Sequence, residues 1–169
     1  RDDDRRWALT VVDHVLGGGM SSRLFREIRE QRGLAYAVHS FRLPFKASGA
    51  FAIYVGTTPT QTSEVLKLVR SELDKMMQDG LTEKELNRAT GHVAGALALS
   101  LEDSGSRMNR LGRNELTGIE QLSVDDIVAR VEAVDLPQAV AVARDVYSGP
   151  YVLGAVGPFD ADDLEEFIR

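Results

Sequence analysis

Apolar positions recur along the chain at two periods, and the changes of period mark out its elements. Trp7, Leu9, Val11, Val12, Val15 and Leu16 follow helical spacing. They predict a helix over residues 4–16 with Gly17 just past its end. A shorter helix is expected over residues 21–32: Ser21 or Ser22 caps it, Leu24, Phe25 and Ile28 share its inner face, and Gly33 stops it. Period two then takes over. Residues 35–41 and 49–57 read as strands of a hairpin-like pair, and Phe51, Ile53 and Val55 alternate with Ala50, Ala52 and Tyr54.

Helical spacing returns with Thr58-Pro59-Thr60-Gln61, which has the form of a capping box with proline in the first turn. Val65, Leu68, Val69, Leu73, Met76 and Met77 make one stripe, ended by Gly80. Thr82 and Glu85 form a second box at the head of a long helix. Its small residues, Ala89, Gly91, Ala94, Gly95, Ala96 and Ala98, would let another element come close. Further helices are expected over 106–118, over 123–134 with a Ser123/Asp126 cap, and over 137–148. A strand over 151–157 and an acidic amphipathic helix over 160–168 close the pattern.

The sum is α+β: an antiparallel or mixed sheet packed against a helical layer, with no domain boundary across 1–169. Two or three strands are too few to carry so many helices. The chain is therefore expected to be part of a longer one, with its first strand or strands upstream of Arg1.

Composition changes this picture little. At 169 residues, 43% hydrophobic and 27% charged, the chain has the make-up of a soluble globular protein. The net charge of −6 and the lack of a basic stripe argue against a nucleic-acid partner. No apolar run approaches the ~20 residues that cross a bilayer, so no membrane span is expected. The absence of cysteine rules out disulfides and thiolate metal sites and fits a reducing compartment.

Candidate chemistry is sparse. His14, His39 and His92 stand in three different elements, with no spacing that places two imidazoles on one helix face. Gly17-Gly18-Gly19 precede a helix start, but no Lys follows and no strand precedes them. A helix-to-helix corner accounts for them without a bound phosphate. There is no G-x-S-x-G and no cysteine nucleophile. One pair of side chains stands apart. Arg29 lies in the last turn of its helix, where the macrodipole alone favours a cation, and Tyr36 lies in a strand, where packing alone favours an aromatic. Both are also hydrogen-bond donors, seven residues apart across a glycine corner. Converging on one carbonyl, they would polarise it or steady an oxyanion.

The stretches "LGGGMSSRLFREIREQRGLAYAVHS", "GAFAIYVGTTP", "GLTEKELNRATGHVAGALALSLEDSGSRMNRLGR" and "VLGAVGP" resemble, in order, the C-terminal half of the pitrilysin/insulinase-type zinc peptidases. The bacterial branch related to the mitochondrial processing peptidase is the nearest. The resemblance implies two α+β halves closing around an unfolded peptide. The N-terminal half, in the same chain or a partner, holds zinc through H-x-x-E-H and a further glutamate; the C-terminal half binds no metal. It implies that Arg29 and Tyr36 reach the substrate backbone, with Tyr36 acting at the scissile carbonyl. It also makes Gly17, Gly18 and Gly19 a candidate peptide-handling loop, short though it is here. A homodimer and a bacterial cytoplasmic location are further expectations. The resulting expectation is the zinc-free, substrate-gripping part of a zinc metalloendopeptidase, inactive alone. The alternatives are a non-catalytic partner or scaffold subunit of the same family and an unrelated α+β binding module.

Overall fold

The computed structural model describes residues 3–160, Leu164 and Phe167. Helix α1 (Arg6–Gly17) buries Val11, Val12, Val15 and Leu16, the face its spacing predicts. It is the central element: the hairpin, α3, α5 and α6 all pack on it. The hairpin consists of β1 (Ala35–Pro44), three residues longer than its pattern suggests, and β2 (Gly49–Thr57). The two strands run antiparallel and make up the whole of the described sheet. Phe51, Ile53 and Val55 of β2 face the core as their alternation requires, and Phe51 meets Tyr147 of α6 edge-on at 5.1 Å.

Helices α2 (Thr62–Gln78), α3 (Glu83–Ser100), α4 (Ser104–Thr117), α5 (Val124–Glu132) and α6 (Leu136–Tyr147) follow. The stripe on α2 is buried as expected, with Val65, Leu73 and Met76 in the core. The capping boxes at Thr82/Glu85 and Ser123/Asp126 both form. The one anticipated at Thr58/Gln61 does not. Residues Pro59–Gln61 form a 3-10 turn, and the Thr58 hydroxyl bonds the Gln61 side chain at 3.0 Å instead of a backbone N–H.

Three further expectations are corrected. Residues 25–31 wind as a π-helix, Phe25–Gln31, where a plain α-helix is expected. Residues 151–157 form no regular element and pair with no strand among the described residues, and Val152 and Val156 stand fully in solvent. Alternation supplies a strand's side-chain pattern, but a strand also needs a neighbour to bond its backbone. The small-residue stripe of α3 is used only at its start. Ala89 is buried, whereas a Cβ added at Gly91 or Gly95 would meet nothing within 4 Å. The acidic helix expected over 160–168 lies largely outside the described residues.

Candidate functional site

Two local irregularities bring Arg29 and Tyr36 together. Ser22, itself buried, accepts the Phe25 N–H at 3.4 Å and starts the helical segment. The π-turns that follow put the apolar Ile28 in the core and leave Arg29 in solvent. Gly33 then takes φ +63°, a left-handed conformation that a side chain would strain, and the Leu34 N–H closes the corner onto the Ile28 carbonyl at 2.9 Å. One residue into β1 the ladder slips: Ala35 pairs with Thr57 and Ala37 with Gly56, so Tyr36 is the extra residue of a β-bulge. Its side chain is 85% exposed.

The Arg29 guanidinium lies over two rings, 5.0 Å from the centre of Phe25 and 5.5 Å from that of Tyr36. Cation–π attraction favours this placement while the residue as a whole stays exposed. No carboxylate among the described residues pairs with it. Such a guanidinium and a phenol, both donors and side by side, can together take one carbonyl or carboxylate oxygen. The sequence-level pair is thus met in space.

Phe25 also borders a cavity of about 270 Å³, walled in addition by Gly17–Met20 and Val38–Ser40. The three glycines line it, but two of them are required by packing alone. A Cβ at Gly17 would sit 2.5 Å from the Ser40 backbone nitrogen, and one at Gly18 would sit 2.6 Å from the His14 Cα. Gly17 is the last residue of α1 rather than a left-handed stop beyond it. Its value lies in letting helix and strand touch.

Two polar networks that support this arrangement escape a reading by spacing. Asp13 on α1 accepts from the Ser40 hydroxyl at 2.5 Å and from Arg42 Nε at 3.1 Å, while Arg42 Nη1 reaches the Thr10 hydroxyl at 2.8 Å. These bonds fasten β1 to α1 under the cavity. Arg23 grips Glu85 through Nε at 2.7 Å and Nη2 at 2.9 Å and the Gly80 carbonyl at 2.8 Å, tying the segment that carries Arg29 to the start of α3. Burial acts to raise the Glu85 pKa, but the bonds from Arg23 and from the Thr82 backbone and hydroxyl outweigh it and hold the carboxyl down at about 2. The only sequence sign of this pair is that Glu85 already belongs to a capping box.

The histidines do not make a metal centre. His14 and His92 stack with ring centres 4.3 Å apart and planes 18° from parallel, a geometry that points no two lone pairs at one ion. His39 is not part of that stack; it lies beside Phe41 and Tyr54 on the hairpin and borders the cavity. Among the described residues no group of three or more His, Cys, Asp or Glu is placed to hold a metal. Zinc therefore does not fit the described residues of this chain.

Comparison with known proteins gives this geometry a context. The chain is 49% identical over 158 residues to an uncharacterized zinc protease of Streptomyces coelicolor, covering 94% of this chain and 34% of that protein. It is 43% identical over 155 residues to an uncharacterized zinc protease of Mycobacterium tuberculosis, covering 92% and 35%. The chain thus spans about a third of the length of the curated relatives it matches. A crystal structure of a peptidase M16 inactive domain from Pseudomonas fluorescens superposes with a TM-score of 0.77 at 29% identity, over 86% of this chain and 35% of that one. The family model described as the peptidase M16 inactive domain matches residues 1–90, the part that carries α1, the glycine loop, Arg29, Tyr36 and the hairpin. By that match, and by the α+β fold it shares, the chain belongs to the peptidase M16 inactive-domain family.

Proposed function

We propose that this chain is the substrate-holding domain of a zinc metalloendopeptidase, acting on unfolded peptides beside a separate zinc-bearing half. Arg29 holds a substrate carbonyl. Tyr36 donates to the scissile carbonyl or to the oxyanion formed as water attacks it. The supporting observation is the meeting of Arg29 and Tyr36 across a left-handed glycine and a bulge, both exposed and with no carboxylate partner among the described residues. Packing does not call for that arrangement, since an 85% exposed tyrosine contributes little to a core. The cavity next to Phe25 and the Gly17–Gly19 loop is the surface along which the peptide would lie.

The test is Tyr36→Phe in the full-length or reassembled enzyme. Turnover should fall by about 10²–10³-fold, the usual effect of losing one oxyanion donor. Melting should be unchanged, because the lost hydroxyl is in water. Full activity in the variant would remove Tyr36 from the mechanism. The isolated chain, supplied with zinc and an unfolded peptide, should show no hydrolysis, and chelator-sensitive cleavage by it would overturn the assignment. If the full-length protein also fails to cleave while still binding unfolded peptides, the chain is part of a scaffold subunit.

A further inference from the structure

The stacked pair His14–His92 lies outside the chemistry above, yet it touches the same loop. His14 stands near the end of α1, and His92 comes to it from α3, so the two rings bridge the helices. Gly18 and Gly19 lie against part of the His14 side chain. Gly18 sits over its Cα and Nδ1, close enough that a Cβ there would lie 2.8 Å from the nitrogen, and Gly19 faces Cε1. Two bonds pin that loop: the Gly18 N–H donates to the His14 carbonyl at 3.2 Å, and the Ser22 N–H donates to the Gly19 carbonyl at 3.0 Å. His14 thus touches both the glycine turn that lines the cavity and His92 of α3.

We propose that the His14–His92 stack is a proton-sensitive clasp: closed when at least one ring is neutral, it parts when both are protonated and loosens the Gly18–Gly19 turn that rests on His14. Two imidazolium rings face to face at 4.3 Å repel each other, so the contact is weakened once both carry a proton. The charged surroundings sharpen the effect. From α3, Arg88 stands one turn before His92 and repels a second cation; from α1, Asp13 attracts it, but that carboxylate is already bonded by Ser40 and Arg42. The loop brings no charge of its own. The end of α1 favours a cation through its dipole, a weaker influence than a like charge at contact. Burial, followed by the His92 and Arg88 charges, holds the His14 pKa below the ordinary histidine value, with Asp13 opposing. The sign follows. The unfolded chain takes up this proton near pH 6.5 and the folded chain only at lower pH, so the clasp's contribution is complete above about 6.5 and is lost as the solution becomes more acidic.

The experiment uses this chain in three forms: wild type, His92→Phe, which keeps a ring on the stack without a proton, and His39→Gln as a control. NMR titration of the imidazole Cε1 protons and protection of the Gly18 and Ser22 amides are followed from pH 8 to pH 5. In the wild type His14 should titrate below the ordinary value, and amide protection, corrected for intrinsic exchange, should fall by about tenfold on acidification. In His92→Phe the His14 midpoint should rise and the protection should stay flat, whereas His39→Gln should behave as wild type. His92 is exposed, so its replacement leaves the fold in place. A wild-type His14 that titrates at or above 6.5, or a His92→Phe protein whose loop loosens in acid as the wild type does, would overturn the clasp.

Discussion

The Arg29 guanidinium is within cation–π range of both Phe25 and Tyr36, a contact that suits a planar cation, and on the proposed reading it holds a substrate carbonyl. Arg29→Lys keeps the charge but loses the fork and the stacking. Peptidase turnover of the full-length enzyme should fall at least tenfold, with less than about 0.5 kcal/mol lost in a denaturant titration of this chain. The glycines divide more sharply. Gly17→Ala drives a methyl into the Ser40 backbone and Gly18→Ala into the His14 backbone, so each should lose about 1–3 kcal/mol, read from the urea midpoint. At Gly19 the nearest atom is 3.3 Å away on the His14 ring, a side chain, so Gly19→Ala should be milder than either. The run "GGG" is uniform in sequence, yet its three members meet quite different neighbours. That difference is set by β1 and α1 coming together in space, which no local pattern records.

Among the elements, what is legible in the sequence follows the range of the interactions that make it. The boxes at Thr82/Glu85 and Ser123/Asp126, the buried stripe of α2 and the inward face of β2 are decided within a few residues, and a reading by spacing finds them. The π-helix and the bulge each insert one residue into a regular repeat, and neither period signals an insertion. Arg29 and Tyr36 are visible as a pair; the means of their convergence is not. Residues 151–157 show the opposite error, a pattern without the partner that would make it a strand. Between elements, Arg23 and Glu85 are 62 residues apart and meet with little solvent around them. Glu85→Gln should cost about 2–3 kcal/mol at pH 7. Because the folded carboxyl is held at about 2 against an ordinary value of 4.5, its stabilisation is present above about pH 4.5 and fades as pH falls toward 2. Urea titrations at pH 7 and pH 3 should therefore show a smaller gap between variant and wild type at the lower pH.

For the molecule as a whole, cohesion comes from one side of the hairpin and from α1, against which most of the other elements are assembled. The far half of α3 and the whole of α4 add no buried apolar side chain: Leu99, Met108 and Leu116 are all more exposed than not. At the other end of the chain, Val152 and Val156 are equally bare. Val152→Ser and Val156→Ser should accordingly leave the melting of this chain unchanged within about 0.5 kcal/mol. The bulge at Tyr36 bears on this economy. Removing that single residue would let Ala35, Val38 and Ser40 point inward on an uninterrupted ladder, with Ala37 and His39 outward as an ordinary pleat demands. A shortened chain lacking Tyr36 should then melt no lower than its parent, while, on the proposed reading, peptide cleavage by the full-length protein carrying the deletion should be lost. On the proposed reading, a hairpin that could be made more regular by subtraction keeps its flaw for the phenol that the flaw displays.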